Sequence, residues 1–175
     1  MRLFVAIDLP DSLQDAIARL QQPVRHLHWA APERLHITLQ FLGEQPAPRL
    51  EAIYSALECV EFEPLSIRCE GVGQFASGVI WLGVDPQPAL AQLQRQIGRQ
   101  LRGAGIPLQQ RRFIPHITLG RCRGNRLSSV LEHVAARFYG QAFCFDCDLF
   151  SLKSSQLRPG GALHLVQAQF CSQDA

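Results

Sequence analysis

The hydrophobic pattern divides the chain into alternating strands and helices. Residues 3–7 are apolar on both faces and predict a central strand, and apolar positions at helical spacing over 13–20 predict the first helix. The same patterns predict strands at 34–42, 65–70, 79–84, 113–121, 142–152 and 162–170, and helices starting near positions 46, 85 and 125. Each half of the chain therefore holds two helices and three or four strands. This order indicates an α+β protein of two related lobes with a cleft between them.

One four-residue segment, His-Ile-Thr-Leu, occurs twice, beginning at His36 and again at His116. The chain contains two threonines, Thr38 and Thr118, and each follows one of these histidines by two positions. Residues i and i+2 of a β-strand share a face, so each histidine is predicted to lie beside its threonine, with the isoleucine and leucine opposite. The repeat therefore predicts two imidazole–hydroxyl pairs around one cleft.

This set of side chains suits a phosphate group. An imidazolium and a hydroxyl donate hydrogen bonds to phosphoryl oxygens, and a neutral imidazole accepts a proton from water. For a single copy, an ordinary strand histidine is the simpler interpretation, but the duplication favours a site. The histidines at 26, 28, 133 and 164 have no such partner in the sequence and are interpreted as surface or packing residues.

Charge and cysteine content narrow the functional classes. The net charge of +2 is too small to favour wrapping around long nucleic acid, but it is compatible with a small or terminal anionic substrate. Six cysteines without a signal peptide or a membrane-spanning stretch indicate a cytoplasmic protein with reduced thiols. Cys144 and Cys147 fall on opposite faces of a predicted strand, so this C-x-x-C is not interpreted as a metal site. No metal and no cofactor is expected.

The motifs resemble those of the two-histidine (2H) phosphoesterases. Within that superfamily, the chain is most similar to the bacterial RNA 2′,3′-cyclic phosphodiesterases, also called the 2′-5′ RNA ligase family. The likeness covers nearly the full length and rests on residues 2–10, 36–43, 73–83 and 115–121. It implies a bilobal α+β fold with pseudo-twofold symmetry, a single domain over 1–175 and a central cleft that holds both motifs.

The resemblance also implies an activity and a set of site residues. Members of the family open a 2′,3′-cyclic phosphate at an RNA end to a 2′-phosphomonoester without a metal, and join or cut 2′-5′ linkages in vitro. By carry-over, His36 is the proton donor and His116 the proton acceptor. Thr38 and Thr118 bind the phosphate, and Arg121 matches a basic residue that follows the second motif.

Three further positions are assigned to the substrate site with alternatives open. Strict alternation turns Arg121 away from His116, so either the strand ends or bulges near Gly120 or Arg121 acts from the rim of the cleft. Phe41 and Phe75 are the main candidates for stacking on the terminal base, and Trp29 is a further one. A core position is the alternative for all three, and for Phe41 strict alternation favours it.

The expected partner is RNA with a 2′,3′-cyclic phosphate end, such as a tRNA half or a small cyclic nucleotide. A monomer without membrane contact is expected. Two other functions are considered: a non-catalytic module that binds RNA ends or nucleotides, and a metallohydrolase with the histidines as ligands. The intact acid and base residues argue against the first, and the lack of Asp, Glu or His companions argues against the second.

Overall fold

The computed structural model describes residues 1–109, 112–124, 126–158 and 161–173. Within them the chain forms nine strands and four α-helices, with 3₁₀ turns at Pro32–Arg34 and Ala47–Arg49. In chain order the elements are β1 (Arg2–Asp8), α1 (Asp11–Leu20), β2 (Leu27–Trp29), β3 (His36–Glu44), α2 (Leu50–Glu58), β4 (Leu65–Gln74), β5 (Val79–Val84), α3 (Pro88–Gly103), β6 (His116–Cys122), α4 (Leu127–Phe138), β7 (Ala142–Cys147), β8 (Leu149–Arg158) and β9 (Gly161–Cys171).

All nine strands belong to one antiparallel sheet. The strand order is β7-β4-β5-β6-β3-β1-β8-β9, and the short β2 pairs with β6. The two strands that carry the repeat, β3 and β6, are neighbours at the centre, where Ile37 opposes Ile117. Three strands follow outward on either side, so a pseudo-twofold axis passes between these two isoleucines. The predicted α+β architecture of two related halves is confirmed.

The C-terminal strands were predicted with the wrong division. The single strand expected over 142–152 is two strands, β7 and β8, which separate at Asp148. They lie in opposite halves of the sheet, since β7 pairs with β4 and β8 pairs with β1. Alternation continues on both sides of the break, which is why the sequence pattern does not reveal it. Asn125, near which the fourth helix was predicted to begin, lies outside the described residues.

The core lies between one face of the sheet and the helices. Ile37 and Ile117 are fully buried there, in one continuous cluster with the apolar stripes of all four helices, for example Ile17 of α1 and Val134 of α4. The opposite face carries the histidines and threonines of the repeat. Among the described residues, no helix has the length and apolar character needed to span a lipid bilayer.

A β-bulge follows the threonine of the first repeat. Thr38 lies opposite Ala6 of β1, but the next matched pair is Gln40 with Val5. Leu39 is therefore an extra residue on β3, and residues beyond it change face relative to strict alternation.

The second repeat contains the same bulge. Thr118 lies opposite Trp81 of β5, and the next matched pair is Gly120 with Ile80. Leu119 is the extra residue here. It lies three positions after His116, as Leu39 lies three positions after His36. The bulge near Gly120, which the sequence left as one of two possibilities, is thus present in the structure.

Replacement of Gly120 by alanine should destabilise the fold at this bulge. A Cβ atom at Gly120 would lie 2.6 Å from the carbonyl oxygen of His28 and 3.1 Å from Cα of Trp29, so the backbone of β2 would have to move. We expect Gly120→Ala to lower the unfolding free energy by about 1–3 kcal/mol in urea denaturation. Gly103→Ala is the control, because nothing lies within 4 Å of its Cβ position. Equal effects of both substitutions would contradict this account.

Candidate active site

The two imidazole–hydroxyl pairs meet at the centre of the sheet. His36, Thr38, His116 and Thr118 are all half-buried, whereas the isoleucine between each pair points into the core. Because β3 and β6 are antiparallel about the opposed isoleucines, the first histidine lies across from the second threonine and the first threonine across from the second histidine. The structure therefore brings the four predicted residues together on one face.

Both histidine rings are held in the same way by the backbone. Nδ1 of His36 lies 2.6 Å from the carbonyl oxygen of Arg34, and Nδ1 of His116 lies 2.7 Å from that of Ile114. A carbonyl oxygen only accepts, so each Nδ1 carries a hydrogen and each Nε2 is left for chemistry. In the first pair, Nε2 lies 3.1 Å from Oγ1 of Thr38.

The ring of His36 is enclosed by two other rings. Its centroid lies 5.2 Å from that of Phe4 and 5.2 Å from that of His164, which meets it edge-on. Sequence reasoning gave His164 no partner, because β9 reaches β3 only through β8 and β1. No local signal predicts that neighbourhood.

Enclosure changes the acid–base behaviour of this histidine. Burial lowers the pKa of His36 to about 4, and the hydrogen bond to Arg34 opposes that shift. The charges of His164 and Lys153 lower the pKa further, whereas Asp8 raises it. His36 is therefore neutral at pH 7 in the free protein.

Aromatic side chains surround His116 instead. The ring of Phe75 meets it edge-on at 4.9 Å, and the indole of Trp81 lies 6.3 Å away. Phe75 thus lies at the site, as required of a base-stacking candidate. Trp81 was placed by the sequence only in a buried strand, and its proximity to the site follows from its pairing with Thr118.

A groove of about 260 Å³ opens beside these residues and includes members of both repeats. Its lining is mixed aromatic, amide and cationic: Thr38, Leu39, Gln40, Phe41, Phe75, Gln94, Gln109, Arg112, Phe113, Ile114 and His116. The cationic member of this lining is Arg112.

The bulges correct the predicted facing of two residues. Strict alternation placed Phe41 in the core, but the structure leaves it 53% exposed as part of the groove lining. That core prediction is wrong, because the extra residue Leu39 turns the chain over. The matching bulge turns Arg121 to the exposed face shared by His116 and Thr118. Its guanidinium donates to the carbonyl oxygen of Ser77 at 3.1 Å.

The side chains that could bind a metal are dispersed. Within the ranges the structure describes, no group of three or more His, Cys, Asp or Glu side chains is arranged to hold a metal ion. Cys144 is exposed and Cys147 buried, as alternation along β7 predicts.

Twofold-related His-x-Thr strands that share one groove define the class of two-histidine phosphoesterases. Residues 9–156 match the model of the 2′-5′ RNA ligase superfamily, and the chain belongs to that superfamily.

Named relatives and solved structures agree with this assignment. The protein named RNA 2′,3′-cyclic phosphodiesterase from Archaeoglobus fulgidus is 32% identical over 173 residues, covering 94% of this chain and 96% of its own. The protein of that name from Methanothermobacter thermautotrophicus is 29% identical, covering 94% and 95%. The apo crystal structure of E. coli LigT is 26% identical with a TM-score of 0.80 and covers 98% of both chains. Its complex with 3′-AMP is 25% identical with a TM-score of 0.78, covering 98% and 97%.

The low pKa of His36 should make folding stability depend on pH. The folded pKa of about 4 lies below the ordinary 6.5, so the unfolded chain binds more protons between these values and stability falls as pH drops through them. We expect the unfolding free energy to lose roughly 2–3 kcal/mol from this group between pH 7.5 and 4.5. His36→Gln should remove that share of the loss, as measured by urea denaturation at both pH values. The exposed His133→Gln should leave it in place, and identical pH dependence in both variants would refute the assignment.

Proposed function

We propose that this protein is an RNA 2′,3′-cyclic phosphodiesterase that opens a terminal 2′,3′-cyclic phosphate to a 2′-phosphomonoester, with His36 and His116 as acid and base. The observation that carries the proposal is the pairing of two His-x-Thr strands about one axis, with each Nδ1 bound to a backbone carbonyl. Relatives named for this activity at about 30% identity over nearly the whole chain support it.

Proton transfer in the proposed reaction runs through the two Nε2 atoms. Neutral His116 takes a proton from water, and the oxygen of that water attacks phosphorus in line with the 3′ oxygen. The bond from phosphorus to the 3′ oxygen breaks, and His36 gives its proton to that oxygen. The phosphate stays on the 2′ position. When an RNA 5′-hydroxyl replaces water, the same transfer forms a 2′-5′ linkage, which is the ligase activity that the proposal includes.

The remaining motif residues stabilise the phosphate. The hydroxyls of Thr38 and Thr118 donate to its non-bridging oxygens, and Arg121 at the rim balances the charge that develops in the transition state. No metal or other cofactor takes part in this scheme.

His36 must gain its proton when the substrate binds. In the free protein its pKa of about 4 leaves the ring neutral at pH 7. The anionic phosphodiester brings a negative charge next to Nε2, which raises the affinity of the ring for a proton. An imidazolium with an intrinsically low pKa is a strong acid, so it releases that proton readily to the leaving oxygen.

The terminal nucleotide occupies the groove in this proposal. A volume of about 260 Å³ holds one nucleoside more readily than a folded RNA, so a tRNA half would enter by its end and a small cyclic nucleotide would fit entirely. Phe41 and Phe75 stack on the base, and Arg112 lies where it meets an adjacent phosphate. The protein is proposed to act as a cytoplasmic monomer.

Loss of either histidine should abolish turnover. The substrate is an oligonucleotide that ends in a 2′,3′-cyclic phosphate, with EDTA present throughout. We expect the wild type to produce the 2′-phosphate isomer, and His36→Ala or His116→Ala to lower kcat by about 10²–10⁴-fold. The exposed His133→Ala should retain full activity. A 3′-phosphate product, dependence on a metal, or binding of the RNA end without turnover would exclude the proposed reaction.

Truncation of Phe41 should weaken substrate binding and leave chemistry intact. Stacking on one base contributes about 1–3 kcal/mol, so Phe41→Ala should raise KM roughly 5–150-fold with little change in kcat. Phe41→Tyr keeps the ring and should restore KM. Tyr139→Ala removes an aromatic ring that is 88% exposed on another part of the surface and should change neither constant. An unchanged KM in Phe41→Ala would remove Phe41 from the binding site.

A further inference from the structure

The two halves of the site match in backbone but differ in charge. Asp8 of β1 lies opposite His36, and the corresponding partner of His116 on β5 is Gly83. The first half therefore carries a carboxylate beside its histidine, whereas the glycine beside the second histidine has no side chain. Chemistry that uses one histidine as donor and its twin as acceptor requires such a difference.

The carboxylate of Asp8 is half-buried and forms an ion pair with a buried lysine. It accepts hydrogen bonds from Nζ of Lys153 and, at 3.1 Å, from Oγ of Ser151, both on β8. Lys153 is the only lysine in the sequence and is 5% exposed. Desolvation of so buried a cation is costly, and the carboxylate of Asp8 offsets that cost.

An indole occupies the corresponding space in the second half. A Cβ atom on Gly73 would lie 2.2 Å from the ring of Trp81, and one on Gly83 would lie 3.5 Å from it. Gly73 of β4 pairs with Trp81 of β5, and Ser151 of β8 pairs with Ala6 of β1. Trp81 is therefore the counterpart of Ala6, and Gly73 is the counterpart of Ser151. The small Ala6 thus leaves room for an ion pair, whereas its counterpart fills that room with an apolar ring.

We propose that Asp8 and Lys153 are positioning residues that set the protonation of His36 and thereby give it the donor role, leaving the acceptor role to His116. This inference rests on the proposed function of the two histidines. Among the residues that the structure describes, the titratable and charged groups facing His36 are Asp8 from β1, Lys153 from β8, His164 from β9 and the adjoining Arg34. Of these, Asp8 and Lys153 form the pair that the second half lacks.

The two charges act on the ring in opposite directions. Lys153 lowers the pKa of His36 and Asp8 raises it. Lys153 makes a protonated ring a stronger acid, and Asp8 offsets it enough for the ring to take a proton when an anionic phosphate arrives. Burial and the charges of Lys153 and Arg34 also lower the pKa of His164.

The first test follows the titration of His36 by NMR in the free protein. In Lys153→Met the midpoint should move upward by about half a pH unit or more, and in Asp8→Asn it should move downward. The double variant, which leaves no unpaired charge, should titrate between the two. Glu44→Gln removes one exposed charge at the far end of β3 and should leave the midpoint in place. Unmoved midpoints, or shifts in the same direction, would overturn the inference. If Lys153→Met does not fold, Asp8→Asn and the double variant decide it.

The second test measures kcat/KM against pH on the cyclic-phosphate oligonucleotide. In each variant, the acidic limb of this pH profile should shift in the same direction as the NMR titration midpoint of His36. If His36 is the donor, Lys153→Met should also raise the rate between the limbs several-fold, because more of the enzyme carries the required proton. If the acidic limb of Lys153→Met shifts but kcat/KM between the two limbs is unchanged, His36 is the proton acceptor and the donor assignment is wrong. An inactive wild type would refute the proposed function and leave the NMR result to decide the role of the ion pair.

Discussion

The site depends on one backbone pairing, that of β3 with β6. A slip of one residue would exchange the two faces of either strand, so the register is set by the side chains that must be buried. Ile37 and Ile117 meet in the core at the pseudo-twofold axis, and burial of each contributes about 1.5–3 kcal/mol. The hydrophobic effect thus brings the histidines and threonines together, although these polar groups make no contribution of that kind themselves.

The matched bulges give the duplicated backbone different side chains at equivalent places. In both halves the extra residue follows the threonine directly. The residue three positions after the threonine then lies on the same face as the threonine. That residue is Phe41 in one half and Arg121 in the other. A symmetric backbone therefore exposes an aromatic side chain in one half and a cationic side chain in the other. The ion pair of Asp8 with Lys153 breaks the symmetry again, this time beneath one histidine.

Local sequence patterns predicted most of the elements but not their partners. The helices and the repeat strands were predicted because their periods of 3.6 and 2 persist over several residues. The strand over 142–152 was predicted without its break, since alternation carries through Asp148 although the two parts join different neighbours. The second helix was predicted to start near position 46, but α2 begins at Leu50, because Ala47–Arg49 forms a 3₁₀ turn.

The sequence alone determined the family resemblance, the two imidazole–hydroxyl pairs and the apolar face beneath them, because all three depend on residue identity and short spacing. Only the tertiary structure decided the facing of Phe41 and Arg121, because a bulge is defined by pairing with a second strand. It likewise decided that His164 and Lys153 lie beside His36, since strand order across a sheet depends on contacts between residues more than a hundred positions apart. The residues proposed for the site were therefore predictable from the sequence, whereas the asymmetry of their surroundings arises from the packing.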